Sequence, residues 1–258
     1  MSRSGHSSPR SLHWTAPATQ YGMSEPVRLD KFVADLLRCS RVEAQQYVAG
    51  GWVSVDGVVV EESQAMVSTQ QVEIDPDAQL EAIEPATILL HKPAGFDAKD
   101  AASLVTPATH SEGDVSGVRM LNRHFQRLTS LMPLDDEASG LVVLSQDGRI
   151  WRRLTEDHAS IEQEFVVEIC GELLPYGMLR LAHGLRYQGR VLAPCKVSWQ
   201  NEIRLRFAIK DVQPGQLRHM CREVGLDVIA IRRIRIGKIP LSKMPVGEWR
   251  YLPVGEKF

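Results

Sequence analysis

Residues 27–60 read VRLDKFVADLLRCSRVEAQQYVAGGWVSVDGVVV, and the order of local signals in them sets the fold of the N-terminal part. Leu29, Phe32, Val33, Leu36 and Leu37 recur at helical spacing, the mark of an amphipathic helix. Ser40 follows, with Glu43 three positions on. A hydroxyl and a carboxylate at that spacing satisfy the free amides that open a helix, so a second helix is expected from Arg41. Gly50-Gly51 closes it. Trp52-Val53-Ser54-Val55 then alternates as a strand, Asp56-Gly57 supplies a hairpin turn, and Val58-Val59-Val60 returns. Gln71–Ile74 reads as one more short strand. Two short helices with a small sheet make a compact module of the α+β class.

Outward from this module, Pro76 and Pro85 bracket the expected linker. The approach to it is acidic: Glu61, Glu62, Glu73, Asp75, Asp77, Glu81 and Glu84 occur without a Lys or Arg between them. A second block opens with the strand Thr87–Leu90. Further strands are expected at 140–145, 164–169, 191–199 and 204–209, and helices at 148–155, 175–183 and 216–224. Strands outnumber helices and do not alternate with them regularly, which predicts a mainly antiparallel sheet with flanking helices. The expected organisation is a disordered tail over 1–25, rich in Ser, Arg, His and Pro, then domains at 26–84 and 85–258.

The length of 258 residues, with 43% hydrophobic and 24% charged residues, suits two globular domains. No apolar run approaches the roughly 18 residues that span a bilayer, and the N-terminus lacks the apolar core of a secretory signal. Cys39, Cys170, Cys195 and Cys221 are scattered without a CxxC pair, which argues against a zinc site or disulfide framework and fits a reducing cytoplasm. Net charge is only −2, but residues 201–258 hold twelve Lys or Arg against six Asp or Glu, a local basic excess suited to phosphate. A Walker or dinucleotide glycine fingerprint is absent, which excludes that class of nucleotide enzyme. With no heptad pattern, a monomer is expected.

Three segments of the first block, Arg28-Leu29-Asp30-Lys31-Phe32, Ser40-Arg41-x-Glu43-Ala44 and Gly51-x-Val53-x-Val55-Asp56-Gly57, together resemble the S4-type RNA-binding domain. The resemblance implies that Arg28, Lys31, Arg38 and Arg41 meet backbone phosphates, giving affinity without sequence readout.

The second block resembles the RsuA-type pseudouridine synthases from about Ile88 to Pro253, the large-subunit ribosomal RNA branch most of all. Leu89-Leu90-His91-Lys92-Pro93-Ala94-Gly95 is similar to the family's opening strand and turn, and Leu134-Asp135-Asp136-Glu137-Ala138-Ser139-Gly140-Leu141 to its catalytic loop. Glu164–Glu168 stands in the place of the strand bearing an active-site aromatic. Gln216–Cys221, Arg233–Gly237 and Pro245–Arg250 complete the match. The resemblance implies the pseudouridine synthase fold, with Asp135 as nucleophile, Arg218 paired with it to keep it ionised, and Phe165 stacked on the flipped uracil. Leu134 and Leu217 would line the pocket, and Lys92, Arg233 and Arg235 would add RNA contacts. Uridine and pseudouridine differ only in which base atom holds the ribose, so neither metal nor organic cofactor is implied. The expected partner is ribosomal RNA, with tRNA as a further candidate.

The chain departs from the family at several points. Met132-Pro133-Leu134-Asp135 replaces Gly-Arg-Leu-Asp, so the arginine that would fill the gap left by the flipped base is missing. Ala138 replaces a hydroxyl residue, Gln163 and Phe165 replace Lys and Tyr, and Gln213-Pro214-Gly215-Gln216 lacks basic character. Two readings follow: a uridine isomerase, or a ribosome-associated RNA-binding descendant without chemistry. Retention of both Asp135 and Arg218 favours the first.

Overall fold

The hairpin at Val53–Val59 forms because Asp56 (φ 51°) and Gly57 (φ 77°) both take the left-handed backbone that a two-residue turn between twisted strands requires. The computed structural model describes residues 25–80 and 84–258; the tail expected over 1–25 lies, apart from Glu25, outside the described residues, as does Glu81 of the acidic stretch. The chain divides into two units between Glu84 and Pro85.

In the first unit, β1 (Val27–Arg28) runs directly into α1 (Leu29–Leu37), followed by α2 (Arg41–Ala49), β2 (Val53–Val55), β3 (Val58–Val59), β4 (Met66–Val67) and β5 (Val72–Ile74). The strands form an antiparallel sheet in the order β3-β2-β5 and a separate β1–β4 pair. Leu29, Val33, Ala44, Val48, Val53 and Val67 make its core. At the start of α2, Glu43 N–H donates to Ser40 Oγ (3.2 Å) and Ser40 N–H to Glu43 Oε2 (2.7 Å), the reciprocal cap expected from the sequence.

The second unit carries β6 (Thr87–Lys92), β7 (Thr129–Leu131), β8 (Ser139–Ser145), α3 (Gly148–Thr155), β9 (Glu162–Gly171), α4 (Gly177–Ala182), β10 (Arg186–Tyr187) and β11 (Arg190–Val191). After these come β12 (Lys196–Asn201), β13 (Arg204–Lys210), α5 (Gln216–Arg222), β14 (Leu226–Ile236), β15 (Ile239–Pro240) and β16 (Trp249–Tyr251). One sheet runs β12-β13-β9-β14-β8-β6-β16, with β7 beside β8 and β15 beside β14. Every pairing is antiparallel except β8 with β14. The expected strand 191–199 is two pieces, β11 and β12. The longest strand, β14, was not anticipated as an element. No helix among the described residues is long and apolar enough to cross a membrane.

One row of residues crosses this sheet and positions the site: Lys92, Gly140, Arg233, Phe165 and Phe207 are successive cross-strand partners on β6, β8, β14, β9 and β13. Gly140 is required where it stands. Its φ is 118°, and a Cβ there would fall on the backbone of Arg233. Without that close approach β8 could not begin beside β14, and the loop preceding Gly140 would not be held over the sheet.

Candidate active site

The loop 132–138 joins β7 to β8, and its anchorage is built from backbone carbonyls and two buried cations. Lys92 is fully buried (0% exposed), and its Nζ donates to Asp136 O (2.9 Å), Phe96 O (2.6 Å) and Pro93 O (3.0 Å). Gly95 N–H also donates to Asp136 O (2.8 Å). Arg233, 2% exposed, donates through Nη2 to Met132 O (2.7 Å), through Nε to Leu141 O (2.7 Å) and through Nη1 to Gln163 Oε1 (3.1 Å). The two cations thus grip the loop on either side of Asp135. Burial lowers the Lys92 ammonium from its usual range, while the charges of Asp136, Asp97 and Asp135 push it back up. Burial draws the Arg233 guanidinium down to about 9, and the charge of Asp135 opposes the fall.

Within the gripped loop Leu134 is buried and Asp135 half-buried, its Oδ2 accepting from Gly215 N–H (3.0 Å) at the start of α5. Leu134, Phe165 and Leu217 belong to the same buried cluster. A carboxylate fixed by one backbone amide, beside an apolar wall and within the field of two buried cations, is equipped to act on a flat, weakly polar base.

Several expected roles are corrected by the geometry. Lys92 and Arg233, expected at the RNA, are enclosed and cannot reach phosphate. Lys92 closes a strand that is buried on both faces, and Arg233 shares a face with buried Ile231. Arg235 is engaged by Glu162 (2.7 Å) and Glu164 (2.6 Å), the latter its cross-strand partner, and by Gly237 O. Arg218 is seated on Glu137 (Nη2–Oε2 2.7 Å) and Val228 O (3.2 Å) rather than on Asp135. Phe165 is 2% exposed, so its ring presents no free face for stacking in this structure.

In the first unit, Asp30 is buried and gathers Arg28 (2.9 Å), Gln45 (2.9 Å) and Arg41 (3.1 Å). Burial alone would raise its carboxyl, but these three donors hold it well below the usual carboxylate range. Arg28 and Arg41 therefore order the helix pair as well as standing partly exposed, while Lys31 and Arg38 are exposed at its surface.

An S4 domain model matches residues 27–72. The dual-specificity RNA pseudouridine synthase RluF of Escherichia coli K12 is 26% identical over 230 residues, covering 88% of this chain and 75% of its own. The ribosomal large subunit pseudouridine synthase B of Bacillus subtilis is 27% identical over 234 residues, covering 87% and 91% respectively. A crystal structure of a pseudouridylate synthase superposes with a TM-score of 0.54 at 21% identity, covering 88% of this chain and 96% of that one. The chain is thus similar to pseudouridine synthases over nearly nine-tenths of its length.

Two departures from the pseudouridine synthase pattern acquire a physical sense. Met132 stands where a glycine is usual and keeps a left-handed backbone (φ 50°), an uncommon conformation for a side chain of its size, which turns its carbonyl onto Arg233. Gln163 stands where a lysine is usual; it is 4% exposed, and its amide oxygen accepts from Arg233, where a second buried cation would repel it. Sequence reading named Gly215, Gln163 and Glu137 but gave them no part in the site. The first is signalled by Pro-Gly turn chemistry, whereas the other two carry no local signal.

Proposed function

We propose that this chain isomerises a uridine of large-subunit ribosomal RNA to pseudouridine, with Asp135 as the nucleophile acting on a flipped-out base. The observation that carries the reading is the Asp135 carboxylate, half-exposed on a loop clamped by Lys92 and Arg233, in a chain similar to pseudouridine synthases across nearly nine-tenths of its length. The reaction breaks the bond from ribose to base nitrogen 1 and forms one to base carbon 5; the carbon 5 proton passes to solvent while nitrogen 1 takes a proton up. Nothing is added or lost. The uracil is received beside the half-exposed Asp135, against the edge of the apolar wall that Leu134 and Leu217 form, so that the carboxylate meets it with water largely excluded. Lys31 and Arg38 of the S4 domain, with the exposed parts of Arg28 and Arg41, hold phosphates of the same RNA. A tRNA uridine is a second candidate substrate.

The test is a pseudouridine map of ribosomal and transfer RNA from cells lacking the gene, complemented with wild-type protein or with Asp135→Asn. Loss of a site that only wild type restores is the expected result, and it names the target. An unchanged map, or equal restoration by the Asn variant, overturns the reading.

A further inference from the structure

The Asp135 carboxylate receives a backbone hydrogen bond from a turn that lies outside the loop clamp. Gln216 N–H donates to Gln213 O (3.1 Å), with Pro214 and Gly215 as the central residues. Gly215 has φ 73° and ψ −6°, so the turn is of type II, with proline and glycine in the positions that type favours. In such a turn the central peptide presents its carbonyl and its amide in opposite directions. Here the amide end, Gly215 N–H, points at Asp135 Oδ2 (3.0 Å), and the carbonyl end, Pro214 O, accepts from the phenol of Tyr187 (2.6 Å). Tyr187 and Asp135 are joined through a single peptide group.

That peptide has an alternative. Type I and type II turns differ mainly by a flip of the central peptide, and a flip here would swing the Gly215 amide away from Asp135. The Tyr187 hydroxyl bonds the carbonyl only in the orientation observed. It also polarises the peptide, making its amide a stronger donor to the carboxylate. The phenol is itself held: its ring packs on His219 of α5 (centroids 5.1 Å apart), and His219 Nε2 bonds Arg186 O (2.8 Å), which ties the β10–β11 hairpin to that helix. Even the space is matched, because a Cβ at Gly215 would come within 3.0 Å of the Tyr187 hydroxyl oxygen.

We propose that Tyr187 is a positioning residue for the catalytic carboxylate, locking the Pro214–Gly215 peptide so that its amide stays on Asp135. The proposal rests on the reading of Asp135 as nucleophile. It gives this chain a phenol tied to the catalytic carboxylate although Phe165 lacks one. The charged groups around Asp135 are Lys92 from β6, Arg233 from β14, Arg218 and His219 from α5, and Asp136 and Glu137 from its own loop; Arg186 is the cation beside Tyr187. None of them is altered by removing one hydroxyl.

Tyr187→Phe keeps the ring and its contact with His219. We expect kcat for pseudouridine formation to fall roughly fivefold to tenfold with KM for RNA unchanged within about twofold. Gly215→Ala, which disfavours the left-handed turn, should lower kcat in the same way with KM again unchanged. Independently of activity, the Gly215 amide proton resonance in protein labelled with 15N-glycine should move upfield in Tyr187→Phe, as its hydrogen bond to Asp135 lengthens. If Tyr187→Phe leaves kcat and the Gly215 amide resonance as in wild type, the proposal is overturned. If the resonance moves but wild-type protein makes no pseudouridine, the coupling stands and the enzymatic reading falls.

Discussion

Arg233 combines two properties that rarely coexist, complete burial and a full charge. Desolvating a guanidinium is tolerable only when its N–H groups find acceptors, and this one reaches Met132 O, Leu141 O and Gln163 Oε1. A residue so placed acts on the reaction through the loop it holds. Arg233→Met should therefore lower pseudouridine formation by about 100-fold, since displacing a reactive group by about an ångström has that order of cost. RNA affinity and its salt dependence should stay as in wild type, which filter binding between low and high salt would check. A reduced salt slope would mean that Arg233 meets phosphate after all. The burial of Lys92 was open to a closer reading of the sequence, because it ends the apolar run of the expected opening strand. That of Arg233 was not, because it depends on β14, which pairs only with strands distant in sequence. The Arg218–Glu137 pair could not be read in this way, because it depends on where a loop side chain lies in space.

Elements whose signals are local were legible. The cap at Ser40, the glycines after α2 and the Asp56-Gly57 turn each act within a few residues, and helix α3 begins and ends where its pattern does. Elements defined by distant partners were not. β1 and β4 are two residues each and exist only because they pair, and β14 is set between β9 and β8 by residues far away in sequence. The helix pair of the S4 domain depends on one such partnership, Asp30 with Arg28, Arg41 and Gln45. Asp30→Asn leaves two partly exposed arginines without their counter-charge, and should destabilise this unit by about 1 kcal/mol, seen as faster hydrogen exchange across α1 and α2. The sign with pH follows from the depressed carboxyl. Its contribution is complete above the ordinary aspartate value of roughly 4 and is lost as pH falls below it. The Asn variant should lack that acid-dependent loss.

At the scale of the whole chain the two units should answer acid in different windows. In the second unit His124 is buried, its Nδ1 on the Tyr251 hydroxyl (2.9 Å) and its Nε2 without a hydrogen-bond partner. Burial lowers its pKa to about 4, with the charge of Arg123 acting the same way, so the folded unit keeps the ring neutral. The unfolded chain takes up its proton near pH 6.5, ahead of the folded one. The stability due to neutral His124 is therefore complete above about pH 6.5 and drains away as pH falls toward 4, by on the order of 3 kcal/mol. Asp30 contributes its loss only below that range. Lowering pH from 7 to 5 should speed exchange in peptides of β6, β8 and β16 while leaving α1 and α2 unchanged, as segment-resolved hydrogen exchange on the full chain would record. In His124→Leu the change between pH 7 and 5 should shrink, with buried His91 of β6, whose pKa burial also lowers, keeping the remainder, and with the Tyr251 hydrogen bond lost at every pH. Equal acid sensitivity in wild type and variant would assign the effect to other groups and remove His124 from the account.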